Sequence, residues 1–72
     1  MTVVLEHYID SCGVEASIEQ DKYETSYKLV VLTADENRMA TVLYRNVYTT
    51  RESARRAMRR RLTAPITRTF KR

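Results

Sequence analysis

Two runs rich in β-branched and aromatic residues, Tyr27-Lys28-Leu29-Val30-Val31-Leu32 and Met39 to Tyr48, flank the polar stretch Ala34-Asp35-Glu36-Asn37. That arrangement constrains the chain more than any other feature, because it predicts an antiparallel hairpin. With Thr33 opposite Arg38, Tyr27 faces Tyr44, Leu29 faces Val42 and Val31 faces Ala40. The other face then carries Lys28 with Leu43, Val30 with Thr41 and Leu32 with Met39, plus Arg45 and Val47. Both faces are substantially apolar, more than one helix of this size can cover. Either both helices share one face and the other, with Lys28, Val30, Leu43, Arg45 and Val47, is a candidate sheet contact surface that a homodimer or another protein partner would cover, or the sheet is covered on both sides.

Upstream, Val14, Ala16 and Ile18 alternate with Glu15, Ser17 and Glu19, the period of a half-exposed strand. Val4, Leu5, Tyr8, Ile9 and Cys12 instead recur at helical spacing, with Thr2 as N-cap and Gly13 as the stop. Against that, Val3, Val4, Tyr8 and Ile9 are strand-prone and Ser11-Cys12-Gly13 suits a hairpin turn. The helical spacing outweighs these signals, and residues 2–12 are expected to be helical. Downstream, Thr50 is a natural N-cap for a second helix whose apolar stripe is Ala54, Ala57, Met58 and Leu62, ending before Pro65. Residues 63–72 form a basic tail carrying Ile66 and Phe70, either loose or docked as a short strand. The expected fold is a single small α+β domain over residues 1–72: helix, three-stranded antiparallel sheet, helix, basic C-terminal tail.

A chain of 72 residues sits near the lower limit for a self-sufficient core and leaves little for the walls of a catalytic cleft. No apolar run approaches the length of a membrane span and no signal segment opens the chain. The expected location is therefore cytoplasmic, in a bacterial or host cell. The single cysteine, Cys12, fits a reducing compartment and reads as a small buried hydrophobe. His7, on the polar side of the expected first helix, reads as a plain surface residue. No triad, metal-ligand set or phosphate-binding glycine loop can be assembled, so no enzyme activity, metal or cofactor is expected.

Charge is strongly asymmetric. Through Asn37 there are two basic residues against eight acids, a net of −6; from Arg38 onward there are eleven basic residues against Glu52 alone, a net of +10. The positive half condenses into Arg51-Glu52-Ser53-Ala54-Arg55-Arg56-Ala57-Met58-Arg59-Arg60-Arg61, with six arginines to one acid and no lysine. Guanidinium groups suit bidentate contacts to phosphate or carboxylate. Arg55, Arg56, Arg59 and Arg60 cover the arc opposite the apolar stripe, while Arg51 and Arg61 flank it. Arg51, Arg55, Arg56, Arg59 and Arg60, assisted by Arg68, Lys71 and Arg72 of the tail, are the candidate anion-binding set. Tyr23, Tyr27, Tyr44 and Tyr48 share one face of the expected sheet and read as core rather than as a base-stacking platform.

The segment Thr50-Arg51-Glu52-Ser53-Ala54-Arg55-Arg56-Ala57 resembles the start of the second helix in double-stranded-RNA-binding domains, and the expected element order resembles that family over roughly residues 2–62. The resemblance implies phosphate-gripping roles for Arg51 and Arg55, with Glu52 standing where a further basic residue is expected. The first helix, however, carries Glu6 and Asp10, and the first strand–strand loop reads Asp21-Lys22-Tyr23-Glu24-Thr25 in place of the family's Gly-Pro and His. The hairpin with its following helix, entered through Tyr48-Thr49-Thr50, is also similar to the arm-binding domains of phage integrases. The expected function is a small nucleic-acid-binding module that grips phosphates through its arginine-rich helix. The alternative is a small protein-binding inhibitor or adaptor of the phage type, docking an acidic partner surface, with a homodimer as one form. No membrane or small-molecule substrate is expected.

Overall fold

A computed structural model describes residues 2–34 and 37–72 of the chain. These residues form β1 (Thr2–Asp10), β2 (Val14–Asp21), β3 (Tyr27–Ala34), β4 (Ala40–Tyr48), α1 (Arg51–Arg61) and β5 (Ile66–Lys71). The strands make one antiparallel sheet in the order β4-β3-β2-β1-β5, with α1 lying across β2, β3 and β4 on one face. The expected helix–three-strand–helix arrangement is thus corrected to five strands and one helix.

The first correction concerns residues 2–12. The intrinsic strand preference of Val3, Val4, Tyr8 and Ile9 prevails over the helical spacing. The alternation of β1 was illegible because its inward residues Glu6, Tyr8 and Asp10 include two acids, both buried. A pattern that equates buried with apolar fails where charges are buried with partners. Gly13 ends the turn with φ +82°, a left-handed conformation that favours glycine. The Asp10 carboxylate accepts from the backbone N–H groups of Cys12 (2.8 Å) and Val14 (3.0 Å) and so holds the same turn. Cys12 is exposed at its tip, not buried as its type suggested.

At the C-terminus the docked alternative holds, which adds the fifth strand. Most of the basic tail is β5, paired with β1 through Glu6–Lys71, His7–Phe70, Tyr8–Thr69 and Ile9–Arg68. Ser11 N–H donates to the Pro65 carbonyl (2.8 Å) and Arg72 N–H to the Leu5 carbonyl (2.7 Å), fastening both ends. The acceptor is available because the β1–β2 register shifts between Val4 and Glu6, leaving Leu5 outside the ladder.

The hairpin of β3 and β4 forms, but in another register. Tyr27 pairs with Tyr48, Leu29 with Asn46 and Val31 with Tyr44, and a bulge at Leu43 then sets Leu32 opposite Val42. The expected register assumed a tight connection, whereas the ladder closes only at Ala34–Ala40. The bulge moves Val42 to the face away from α1, because an extra residue reverses the side of everything beyond it. The expected turn acids Asp35 and Glu36 lie outside the described residues.

Paired residues share a face, so the register defines two surfaces. Under α1 lie Tyr8, Ala16, Ile18, Leu29 and Val31, which bury together with Ala54, Met58 and Leu62 of the helix layer. Tyr27, Tyr44 and Tyr48 border this core, while Tyr23 stands outside it in the β2–β3 loop, 83 % exposed. The helix forms where the sequence places it: Thr50 accepts from Ser53 N–H (3.1 Å), and Leu62 N–H donates to the Met58 carbonyl (3.0 Å). The small side chains of Ala54 and Ala57 allow it to sit close to the sheet. The opposite sheet face, which no element among the described residues covers, carries Val4, His7, Ile9, Glu15, Glu19, Lys28, Val30, Leu32, Val42, Arg45, Val47, Arg68 and Phe70. Among the described residues, no helix is long and apolar enough to cross a membrane.

Candidate anion-binding site on the arginine helix

Successive turns of α1 place Arg51 and Arg55 on the flank toward β1, and Ser53, Arg56 and Arg60 on the flank toward β4, where Ala57 and Arg61 join them. The two flanks meet different surroundings. Toward β1, Glu6 points up from the sheet between Ile18 and Lys71 of the neighbouring strands and is wholly buried. Arg51 Nε donates to Glu6 Oε2 at 2.5 Å, and Arg55 Nε reaches both carboxylate oxygens at 2.9 Å. The Tyr8 hydroxyl donates to Glu6 Oε1. Arg51 also donates through Nη2 to the Arg72 carbonyl (2.9 Å), so the clamp ties helix, β1 and chain end together.

Burial alone would raise the Glu6 carboxyl, but hydrogen bonds from Arg55, Tyr8 and Arg51 outweigh it and bring the pKa down from 4.5 to about 2. Burial, and then the neighbouring carboxylate, push the Tyr8 phenol up to about 12. A carboxyl depressed in the folded state contributes stability that is complete above its unfolded pKa and is lost as pH falls through the folded one. The window here runs from about pH 5 down to about pH 2, and the difference corresponds to roughly 3 kcal/mol. Urea titrations across this range should show that loss in the parent protein, with the slope between pH 5 and 2 much reduced in Glu6→Gln. An unchanged slope in the variant would assign the acid sensitivity to other carboxylates.

Toward β4 the arrangement is open. A notch of about 330 Å³ lies between α1 and the edge strand, walled by Tyr44 and Tyr48 below and by Ser53, Ala57, Arg56, Arg60 and Arg61 above. The Arg61 guanidinium lies 3.7 Å from the centre of the Tyr44 ring, a cation–π contact that orients it. The hydroxyl oxygens of Tyr44 and Tyr48 are 2.5 Å apart, and Asn46 Nδ2 donates to Tyr44 at 3.1 Å. The hydrogen bonds from Tyr48 and then Asn46 lower the Tyr44 pKa, whereas burial and then Tyr44 itself raise that of Tyr48. Among the described residues, no carboxylate lines the notch. Glu52, the one acid of the helix, sits by Arg55 on the other flank (3.8 Å).

The structure thus divides the candidate residues. Arg51 and Arg55, the two given phosphate roles by resemblance, are held by Glu6. Arg56 and Arg60 share the notch, whereas Arg59 is exposed outside it, one turn on from Arg55 and near enough to Tyr8 to act on its phenol. Arg61, Ser53, Tyr44 and Tyr48 join the site without having been among the candidates. The i, i+4 spacing of Tyr44 and Tyr48 on one strand face was the legible signal for that wall. Arg68 and Lys71 are exposed on β5, away from the notch. Arg72 engages through its backbone, its N–H donating to the Leu5 carbonyl and its carbonyl accepting from Arg51.

Of the candidate sheet contact residues, Lys28, Val30, Arg45 and Val47 lie on the open face, and Leu43 is the bulge at its edge. Val47 and Leu43 are more than half exposed. Two acids, Glu15 and Glu19, occupy the central strand of that face, and His7 Nε2 lies 3.1 Å from Glu15 Oε1. His7 is therefore a strand residue with a carboxylate neighbour. No protein-family model, no curated protein and no solved structure matches the chain, so the residues themselves carry the functional argument.

Proposed function

We propose that the protein binds nucleic-acid phosphates through the outward side of α1, with Arg56, Arg60 and Arg61 as central contacts and the exposed Arg59 as a further one. The observation that carries this reading is the notch, where three guanidiniums and three hydroxyls line one concavity without a carboxylate. The contrast with the other flank supports it. Where arginines hold the fold together, a buried carboxylate meets them; where they face outward, none does, so an external anion relieves their mutual repulsion.

Four arginines engaging phosphates would release counterions, so log affinity should fall with log salt at a slope of about −3. Fluorescence anisotropy with labelled oligonucleotides between low and physiological salt measures this slope. Absence of binding at low salt would sink the reading and leave an acidic protein surface as the anion.

A further inference from the structure

The notch is more specific than a phosphate backbone requires. A backbone phosphodiester carries one charge and two free oxygens, whereas the notch gathers three guanidiniums with the hydroxyls of Ser53, Tyr44 and Tyr48. A terminal phosphate monoester carries roughly −1.5 to −2 charges and three acceptor oxygens. That is the ligand whose charge and oxygen count fit the donors present. The shape agrees: a concavity of about 330 Å³ lies at the small end of ligand pockets, with room for a phosphate and the sugar that bears it. An uninterrupted strand passing over the helix would lie across the rim and leave the interior unused.

Stacked on the Tyr44 ring, the Arg61 guanidinium is held as one fixed wall. Arg56 and Arg60, one helical turn apart, supply the others. The hydroxyl floor beneath them donates or accepts according to how each proton turns.

We infer that this notch is an end-phosphate site: it receives the terminal phosphate monoester of a nucleic-acid strand whose other phosphates lie along the exposed arginines of α1. The inference rests on the nucleic-acid reading above and adds to it a preference for phosphorylated ends.

The test compares one single-stranded 12-mer with a 5′-phosphate, a 3′-phosphate or hydroxyls at both ends, by anisotropy near physiological salt. One phosphorylated form should bind at least about tenfold more tightly than the hydroxyl-ended strand, and the form that does so identifies the end. Arg56→Gln should bring the three affinities together. Arg59→Gln, outside the notch, should weaken all three by a similar factor. Equal affinities of all three strands in the parent protein would overturn the end-phosphate site while leaving phosphate binding in place. No binding by any strand, even at low salt, would overturn both. Tyr44→Phe supplies a second measurement: it retains the ring under Arg61 and should diminish the end preference without loss of fold.

Discussion

Glu6→Ala should be the most damaging single substitution away from the apolar core, destabilising the domain by about 3–5 kcal/mol. A chain of this length has a total stability of roughly 4–11 kcal/mol, so the variant should be partly unfolded at physiological temperature. The cause is the arrangement of α1. Its backbone lies over β2, β3 and β4, and the long side chains of Arg51 and Arg55 reach across to β1. Without Glu6, two guanidiniums face a cavity with no counter-charge and the Tyr8 hydroxyl loses its acceptor. Denaturant unfolding followed by circular dichroism measures the loss. A cost below about 1 kcal/mol would show that the clamp does not hold the helix to β1.

The same argument predicts recovery when the whole polar cluster is replaced. Glu6→Leu combined with Tyr8→Phe, Arg51→Met and Arg55→Met should regain most of the stability, because apolar groups of similar volume avoid the desolvation that a buried ion pair incurs. That variant should also retain phosphate binding, since it leaves the notch untouched. Stability and binding would then be separated by which arginines are removed.

The second large effect lies on the other flank. Arg56→Glu with Arg60→Glu should lower affinity for an oligonucleotide by roughly 100-fold or more at low salt, each lost charge-assisted contact contributing about 1.5–3 kcal/mol. The salt slope should become shallower by about two. Both side chains are exposed, so the unfolding midpoint should move little. Arg51→Glu with Arg55→Glu is the informative comparison: it places acids against Glu6 and should unfold the protein. If the notch variant binds like the parent, phosphate recognition does not run through this side of the helix.

The sequence by itself determined the elements whose local chemistry and burial agree. The capped helix from Thr50, its stripe of Ala54, Ala57, Met58 and Leu62, the alternating strand from Val14 and the two strands of the Tyr27–Tyr48 hairpin were all legible. The helix and the strands from Val14 and Tyr27 bury apolar residues at the period of their own geometry, and β4 half-buries Tyr44 and Tyr48 against them. The charge asymmetry and the arginine-only helix were legible as well, being properties of composition.

Residues 2–10 were not legible, because their inward positions include Glu6 and Asp10, and nothing local reveals the distant arginines that make burial of Glu6 tolerable. The docking of residues 66–71 depended on β1 being a strand with a free edge, so the reading of residues 2–12 as a helix left the tail open between loose and docked. The hairpin register depended on the bulge at Leu43 and on a connection longer than the sequence suggested. Only the tertiary structure decided which arginines serve the fold and which face outward. Six identical side chains on one helix carry no local mark of their partners. A carboxylate forty-five and forty-nine residues away occupies Arg51 and Arg55, and the tyrosines of β4 give Arg56, Arg60 and Arg61 their notch.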